Sequence, residues 1–444
     1  MTQAAANANR APAPAYNKTP AILSALFMGL GQLTCQRQYV KGAFYALIEL
    51  AVLLNANAFL ARLGDLITLG EDKSHLPILQ RDNSLFMMVE GIIFAILLIF
   101  FILLYISNVR DALKTERRFA RTGSYPGTRA FFSSLADTSF AAVGLSPVVM
   151  MLTFFVILPL LFSVLIAFTN YSSPDHIPPA KTVDWVGFQT FREIASLTTW
   201  KNAFARTAIW TVTWATLSTA TCYVGGMVMA LALLNKKIKM PRLFRSVFVL
   251  PYAVPAMLSL MVWANLLNGQ FGPVNRLLRE WGIITDNIPW LSDQLLAKVS
   301  VISVNLWLGF PYFMMLTTGV MTSVSPDLYE AASIDGATPR VQFTRITLPL
   351  VLYQTVPLMI MSFSHNLNNF GAVYFLTRGN PADTLTTQSG AGSLDILMSW
   401  MYKLTYELRM YNKAAVVAIL IFIVIAPLAI YNFSRTKAFK EGEL

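Results

Sequence analysis

Three short polar patches lie inside apolar runs. In NLWLGFPYF, Asn305, Leu308, Gly309 and Tyr312 fall at i, i+3, i+4 and i+7, one stripe of a helix. His365, Asn366 and Asn369 make a second stripe, and Tyr252 and Ala256 stand one turn apart beside Pro251 and Pro255. An amide left unpartnered in hydrocarbon costs roughly 2–7 kcal/mol, so these groups must face protein, water or a ligand. Carboxamides bind hydroxyls, an aromatic face suits the C–H side of a pyranose ring, and Gly admits close approach. That mixture fits a neutral sugar. It fits interhelical hydrogen bonding equally, and spacing alone leaves both readings open. The prolines near Tyr252 can break a helix locally and free carbonyls towards a cavity. A proton relay through His365 is the weaker alternative. The acids in the apolar runs are Glu49 and Glu90, both distant in sequence and expected in pairing or interface roles. The three histidines are scattered and Cys35 and Cys222 lie far apart, so neither a metal site nor a disulfide framework nor a catalytic group is expected.

The chain that must position these residues has 444 residues, 55% hydrophobic and 13% charged, with mean hydropathy +0.54. A soluble protein carries about a quarter charged residues. The composition therefore predicts an all-α polytopic membrane protein. Eight transmembrane helices are expected, at 42–62, 87–106, 146–169, 207–234, 246–268, 299–322, 350–377 and 412–433. Ala21 to Leu33 is too short to cross and is expected to be interfacial or re-entrant. Residues 1–19 lack the pattern of a signal peptide and are expected to be a short tail. Loops 107–145, 235–245, 323–349 and the tail 434–444 hold 6, 5, 2 and 3 Lys and Arg. The alternate loops, longer in total, hold 2, 4, 3 and 3, which places both termini in the cytoplasm. The net charge of +11 follows from this placement and requires no nucleic acid. No loop is long enough for a soluble domain. The outer stretch NYSSPDHIPPAKTVDWVGF is expected to form an interfacial lid.

One cytoplasmic loop is unusually ordered. Ser325 is a good N-cap, Pro326 takes the first helical position and Asp327 the first turn. Gly336 can supply a left-handed C-terminal residue, Thr338 and Pro339 repeat the start signal, and Pro349 is expected at the junction with the next span. Ala331 and Ala332 leave one side thin. The spacing Glu330-Ala331-Ala332, three residues, Gly336, nine residues, Ile346, one residue, Leu348-Pro349 resembles the EAA loop of ABC importer permeases. The resemblance implies a coupling helix that docks on an ATPase subunit, carried by Glu330, Ala331, Ala332, Asp335, Gly336, Ile346, Leu348 and Pro349. The chain has no G-x-x-x-x-G-K-[ST] loop, so ATP with Mg belongs to partner subunits and no cofactor is expected on this chain.

IAFTNYSS, LPYAVP, NLWLGFPYFMM and NLNNF resemble the larger membrane subunit of maltose/maltodextrin ABC transporters, from about residue 90 onward. GLGQLTCQRQYVKGAFY resembles it more faintly. The resemblance implies two accessory helices (42–145) after an N-terminal segment (1–41), then a six-helix permease core (146–433) and a tail (434–444). It also implies a second permease subunit forming a heterodimer, two ATPase copies, an extracellular sugar-binding protein, and a bacterial cytoplasmic membrane. Sugar contacts are implied at Tyr252, Asn305, Leu308, Gly309, Tyr312, His365, Asn366 and Asn369. Ala256 stands where Ser is typical and His365 where an aromatic is typical, which bears on which sugar is taken. About 37 residues separate the spans on either side of NYSS, where enterobacterial subunits carry a large external domain after FTNYSS. A stand-alone secondary transporter, the competing class, needs coupling-ion carboxylates or paired interrupted helices, and the later spans hold no acids.

Overall fold

The long helix Ser84–Thr122 shows how local chemistry sets the first unit. Asn83 caps it, its Oδ1 accepting from the N–H groups of Leu85 (3.1 Å) and Phe86 (3.2 Å). The computed structural model describes residues 16–73, 75–77, 80–127, 140–177, 181–235 and 237–434. Most of the expected N-terminal tail and almost all of the C-terminal one lie outside them. The described residues are helical apart from connections and two isolated bridges, and they pack as two units, Met1–Trp185 and Val186–Leu444.

In the first unit the order is α1 (Thr19–Leu26), α2 (Leu30–Thr34), α3 (Tyr39–Leu54), α4 (Ala56–Thr68), α5 (Ser84–Thr122) and α6 (Gly144–Ile166). The segment expected to be interfacial or re-entrant is two helices of 8 and 5 residues, each too short to cross. They are fastened to α5 by amides: Gln32 Nε2 donates to Asn108 Oδ1 (2.8 Å), and Gln36 Nε2 to the Ala112 carbonyl (2.8 Å). The buried Glu116 accepts from the Tyr125 hydroxyl at 2.9 Å. The two flagged acids are both engaged, Glu90 with Arg62 at 2.8 Å and Glu49 with the Met28 N–H. The span expected at 42–62 is instead the pair α3–α4, bent by 59° at Asn55. In α6, Thr153–Ile157 forms a π turn just ahead of Pro159. A proline ring clashes with the carbonyl four residues back, and the wider turn relieves it.

The second unit runs α7 (Gln189–Ser196), α8 (Thr198–Leu234), α9 (Pro241–Ala253), α10 (Ala256–Leu266), α11 (Pro273–Glu280) and α12 (Gln294–Ser323). It continues with α13 (Pro326–Ile334), α14 (Pro339–Asn368), α15 (Phe370–Thr377), α16 (Leu397–Tyr406) and α17 (Tyr411–Ser434). α8 and α12 lie along each other, and Gly226 makes this possible: a Cβ there would stand 2.5 Å from Phe313 Cβ and 2.7 Å from the Met314 nitrogen. Above this contact an apolar layer forms around Trp210, Trp214, Leu260, Val301 and Val373. The indole N–H groups bond outward to carbonyls, Trp210 to Leu394 (3.0 Å) and Trp400 to Ser389 (2.9 Å).

Two expected single spans are broken. The one at 246–268 turns by 91° between α9 and α10, where Pro255 ends the ladder, a local break that the prolines announce. The one at 350–377 breaks at Asn369, between α14 and α15, with no such warning. Among the described residues five helices are long and apolar enough to cross a membrane, or seven if each bent pair counts as one.

Loop 378–396 is held by one buried carboxylate. Asp395 accepts from Lys403 Nζ (2.6 Å), Gly392 N–H (2.7 Å) and Ser399 Oγ (2.7 Å). Burial pushes its carboxyl above the usual range, and the Lys403 ammonium opposes this most strongly. Removing one member of a buried ion pair costs about 3–5 kcal/mol. Lys403→Met is therefore expected to lower the thermal midpoint of the detergent-solubilised chain sharply, and Asp395→Asn in the same chain to restore part of it. A double variant no more stable than the single one would show that the pair does not hold this loop.

Candidate functional site

A cavity of about 700 Å3 opens in the second unit between the α9–α10 break, α12, the end of α14 and the start of α15. The helix breaks are what bring these segments together. The break after Ala253 turns Tyr252 and Ala256 to the cavity, and the break at Asn369 adds Gly371 and Phe375 from α15. All eight residues expected at a sugar site line it, and so does Ala256.

Each group has a definite setting. The α12 stripe supplies Asn305, Leu308, Gly309 and Tyr312, with Asn305 only 8% exposed. Tyr312 faces Tyr252, ring centres 6.3 Å apart and planes at 31°, and Tyr252 is 54% exposed. Asn366, 5% exposed, donates from Nδ2 to Thr219 Oγ1 at 3.0 Å, and its main-chain carbonyl accepts from the Trp214 indole at 3.1 Å. Asn305 Nδ2 lies 3.7 Å from Cys222 Sγ, whose thiol donates to the Asn305 carbonyl (3.5 Å). Asn369 Oδ1 caps α15 by accepting from the Ala372 N–H at 3.4 Å. His365 is exposed at the cavity edge. The interhelical role left open by spacing is present, since Asn366 and Asn305 tie their helices to α8, and the same two residues line the cavity.

Other lining residues escaped the sequence reading. Ser362 lies one turn before His365 and Asn366, so the same period would have found it; Cys222 and Phe375 carry no local signal.

The candidate coupling segment lies at the opposite end of α14. Ser325 Oγ accepts from the Asp327 N–H at 3.3 Å, α13 spans Pro326–Ile334, and Gly336 takes φ +79°. Glu330, Ala331, Asp335 and Gly336 are exposed, while Ala332 is half-buried. Thr338 holds the cap position without a side-chain cap bond. Pro349 marks no junction: α14 runs unbroken from Pro339, with Ile346 inside a π turn (Phe343–Thr347) that accommodates Pro349 just after Leu348. Two contacts brace α13 against this base, Tyr329 hydroxyl to Thr347 Oγ1 (2.9 Å) and Gln342 Nε2 to Ser333 Oγ (2.8 Å). Ile334, 87% exposed, tips the segment and was not singled out by its sequence.

Residues 222–436 match the family described as binding-protein-dependent transport system inner membrane component. A galactooligosaccharides transport system permease protein of Bacillus subtilis is 37% identical, over 95% of this chain and 98% of that one. The chain belongs to this permease family. A maltodextrin transport system permease protein of Streptococcus pneumoniae is 35% identical over 94% of this chain and 96% of its own. A maltose/maltodextrin permease of Vibrio parahaemolyticus is 38% identical over 54% of this chain, which spans only 46% of that relative. A bacterial ABC transporter for alginate import shares the fold, with TM-score 0.54 and 20% identity over 68% of this chain and 96% of that one.

Gly309 sets the depth of the cavity beside α8, since a Cβ there would stand 2.7 Å from Cys222 Sγ. Overpacking of this kind costs about 1–3 kcal/mol. Gly309→Ala is expected to lower the thermal midpoint by several degrees, and Cys222→Ala in the same chain to return most of it. Additive losses in the double variant would show that the two positions do not collide.

Proposed function

We propose that this permease forms half of the translocation path of an ATP-driven importer for a neutral oligosaccharide. The observation that carries this reading is the cavity lining: amides, aromatic rings and His365 among aliphatic and small residues, with no Lys, Arg, Asp or Glu. A phosphorylated or acidic substrate would call for Arg or Lys there. The full-length relatives carry maltodextrin and galactooligosaccharides in their names, which supports an oligosaccharide of glucose or galactose units.

In this reading the chain performs no bond chemistry. The bent pairs and α17 complete eight crossings with both termini in the cytoplasm of a bacterium. A second permease subunit completes the path, a sugar-binding protein delivers from outside, and two ATPase subunits hold ATP and Mg. Closure of the ATPases moves α13 and Gly336, and α14 carries that movement from its braced base to His365 and Asn366. Thr347 and His365 lie about 27 Å apart along the helix.

The test is co-purification from native membranes in mild detergent, joined to sugar uptake by proteoliposomes. Wild type is expected to bring down an ATPase and a second permease, and Gly336→Trp to lose the ATPase. Tyr312→Ala, in an assembled complex, is expected to cut uptake about tenfold, the equivalent of one lost contact of ~1.4 kcal/mol. A wild-type chain that purifies without an ATPase would sink the reading.

A further inference from the structure

A second cavity, of about 380 Å3, lies in the same unit between α8, the first turns of α12 and loop 378–396. Its chemistry differs from that of the first. Arg206 Nη1 stands 2.7 Å from Asp383 Oδ2, and Lys298 Nζ sits 4.7 Å from the centre of the Trp210 ring. Among the described residues Lys298 makes no ion pair. Ser393 lines the same cavity, while its hydroxyl is turned away from water and has no hydrogen-bond partner among the described residues.

The helix α12 aligns the two cavities. Gln294 and Lys298 are one turn apart, and seven residues beyond Lys298, at nearly the same angle, comes Asn305, the first residue of the inner stripe. The rise along the axis between them is about 10 Å. One apolar cluster touches both spaces: Trp210 lines the second cavity, Leu260 and Ala372 line the first, and Val301 lies between on α12.

We propose that the second cavity is a sugar subsite that takes one hexosyl unit of a longer oligosaccharide, in line with the inner cavity and outside the apolar layer. The inference rests on the proposed transport of a neutral oligosaccharide. A guanidinium paired with a carboxylate offers a donor edge and an acceptor edge to adjacent sugar hydroxyls. The Lys298 ammonium and the Gln294 carboxamide add hydrogen-bonding groups. Arg206 is balanced by Asp383, and the Lys298 ammonium, held over the Trp210 face, keeps its N–H donors for hydroxyl oxygens.

The test uses the whole complex in proteoliposomes, with its ATPase subunits and binding protein, and labelled maltose, maltotetraose, galactobiose and galactotetraose as probes. Lys298→Met and the near-isosteric Thr213→Val, at a residue that lines the same cavity from α8, are compared with wild type after co-purification of the ATPase shows that each has assembled. Both are expected to lower uptake of the imported tetrasaccharide, relative to its disaccharide, by about fivefold to tenfold, the scale of one hydrogen bond. A ratio within twofold of wild type overturns the subsite. So does an equal loss for both lengths that is recovered by raising the binding protein, since the cavity would then be a protein contact. If wild type takes up none of the four sugars, the reading of neutral-oligosaccharide transport fails first and takes the subsite with it.

Discussion

In the second unit one helix supplies hydrogen bonds that the others cannot make for themselves. A lipid interior offers no water to backbone groups, so a helix that breaks there must find partners in its neighbours. α8 provides them from its side chains. Trp210 donates to the Leu394 carbonyl and Trp214 to that of Asn366, while Thr211 Oγ1 accepts from the Leu397 N–H. The break at Asn369 and the loop after α15 are stable because this straight, well-packed helix stands beside them. Gly226 lets α12 come close enough to join the arrangement.

α14 departs from a plain helix at the points that matter for its length. A reading that stops the helix at Pro349 treats proline as a breaker, but the π turn over Phe343–Thr347 moves the offending carbonyl aside and the helix continues. α6 solves the same problem the same way ahead of Pro159. The outcome for α14 is a continuous 30-residue element. Its base is fixed to α13 by Tyr329 and Gln342, and its far end supplies His365 and Asn366 to the cavity.

What the sequence reveals here follows the reach of each signal. The stripe from Asn305 to Tyr312 and the Ser325 cap depend on neighbours within two turns, and both are legible from residue types alone. The ends of α5 are not, because an apolar window measures the membrane while Arg, Lys and Glu carry the helix on to Thr122. Asp395 and Lys403 were silent because their pairing depends on how loop 378–396 folds back on α16. Phe375 was missed for a related reason: its place in the cavity follows from the break at Asn369, where a side-chain cap starts α15 without a proline.

The distribution of charge separates the two kinds of space in this unit. Ion pairs stand in the loops and helix ends, Arg206 with Asp383, Lys403 with Asp395 and Lys413 with Glu193. The large cavity has none. A charge placed there would lose its hydration and demand a fixed partner, and breaking that pair during any rearrangement would cost several kcal/mol. Amides and aromatic rings hold a solute by dipoles and contact area, and each such contact is worth about 1 kcal/mol, small enough to be exchanged for another. Asn366 and Asn305 spend part of that capacity on Thr219 and Cys222, so the groups that would meet a ligand are the same ones that keep α14 and α12 against α8. In the proposed path, ligand contact and helix packing would therefore draw on one set of weak, interchangeable bonds, which is the condition a path needs if it is to change shape around a neutral solute without stranding a charge.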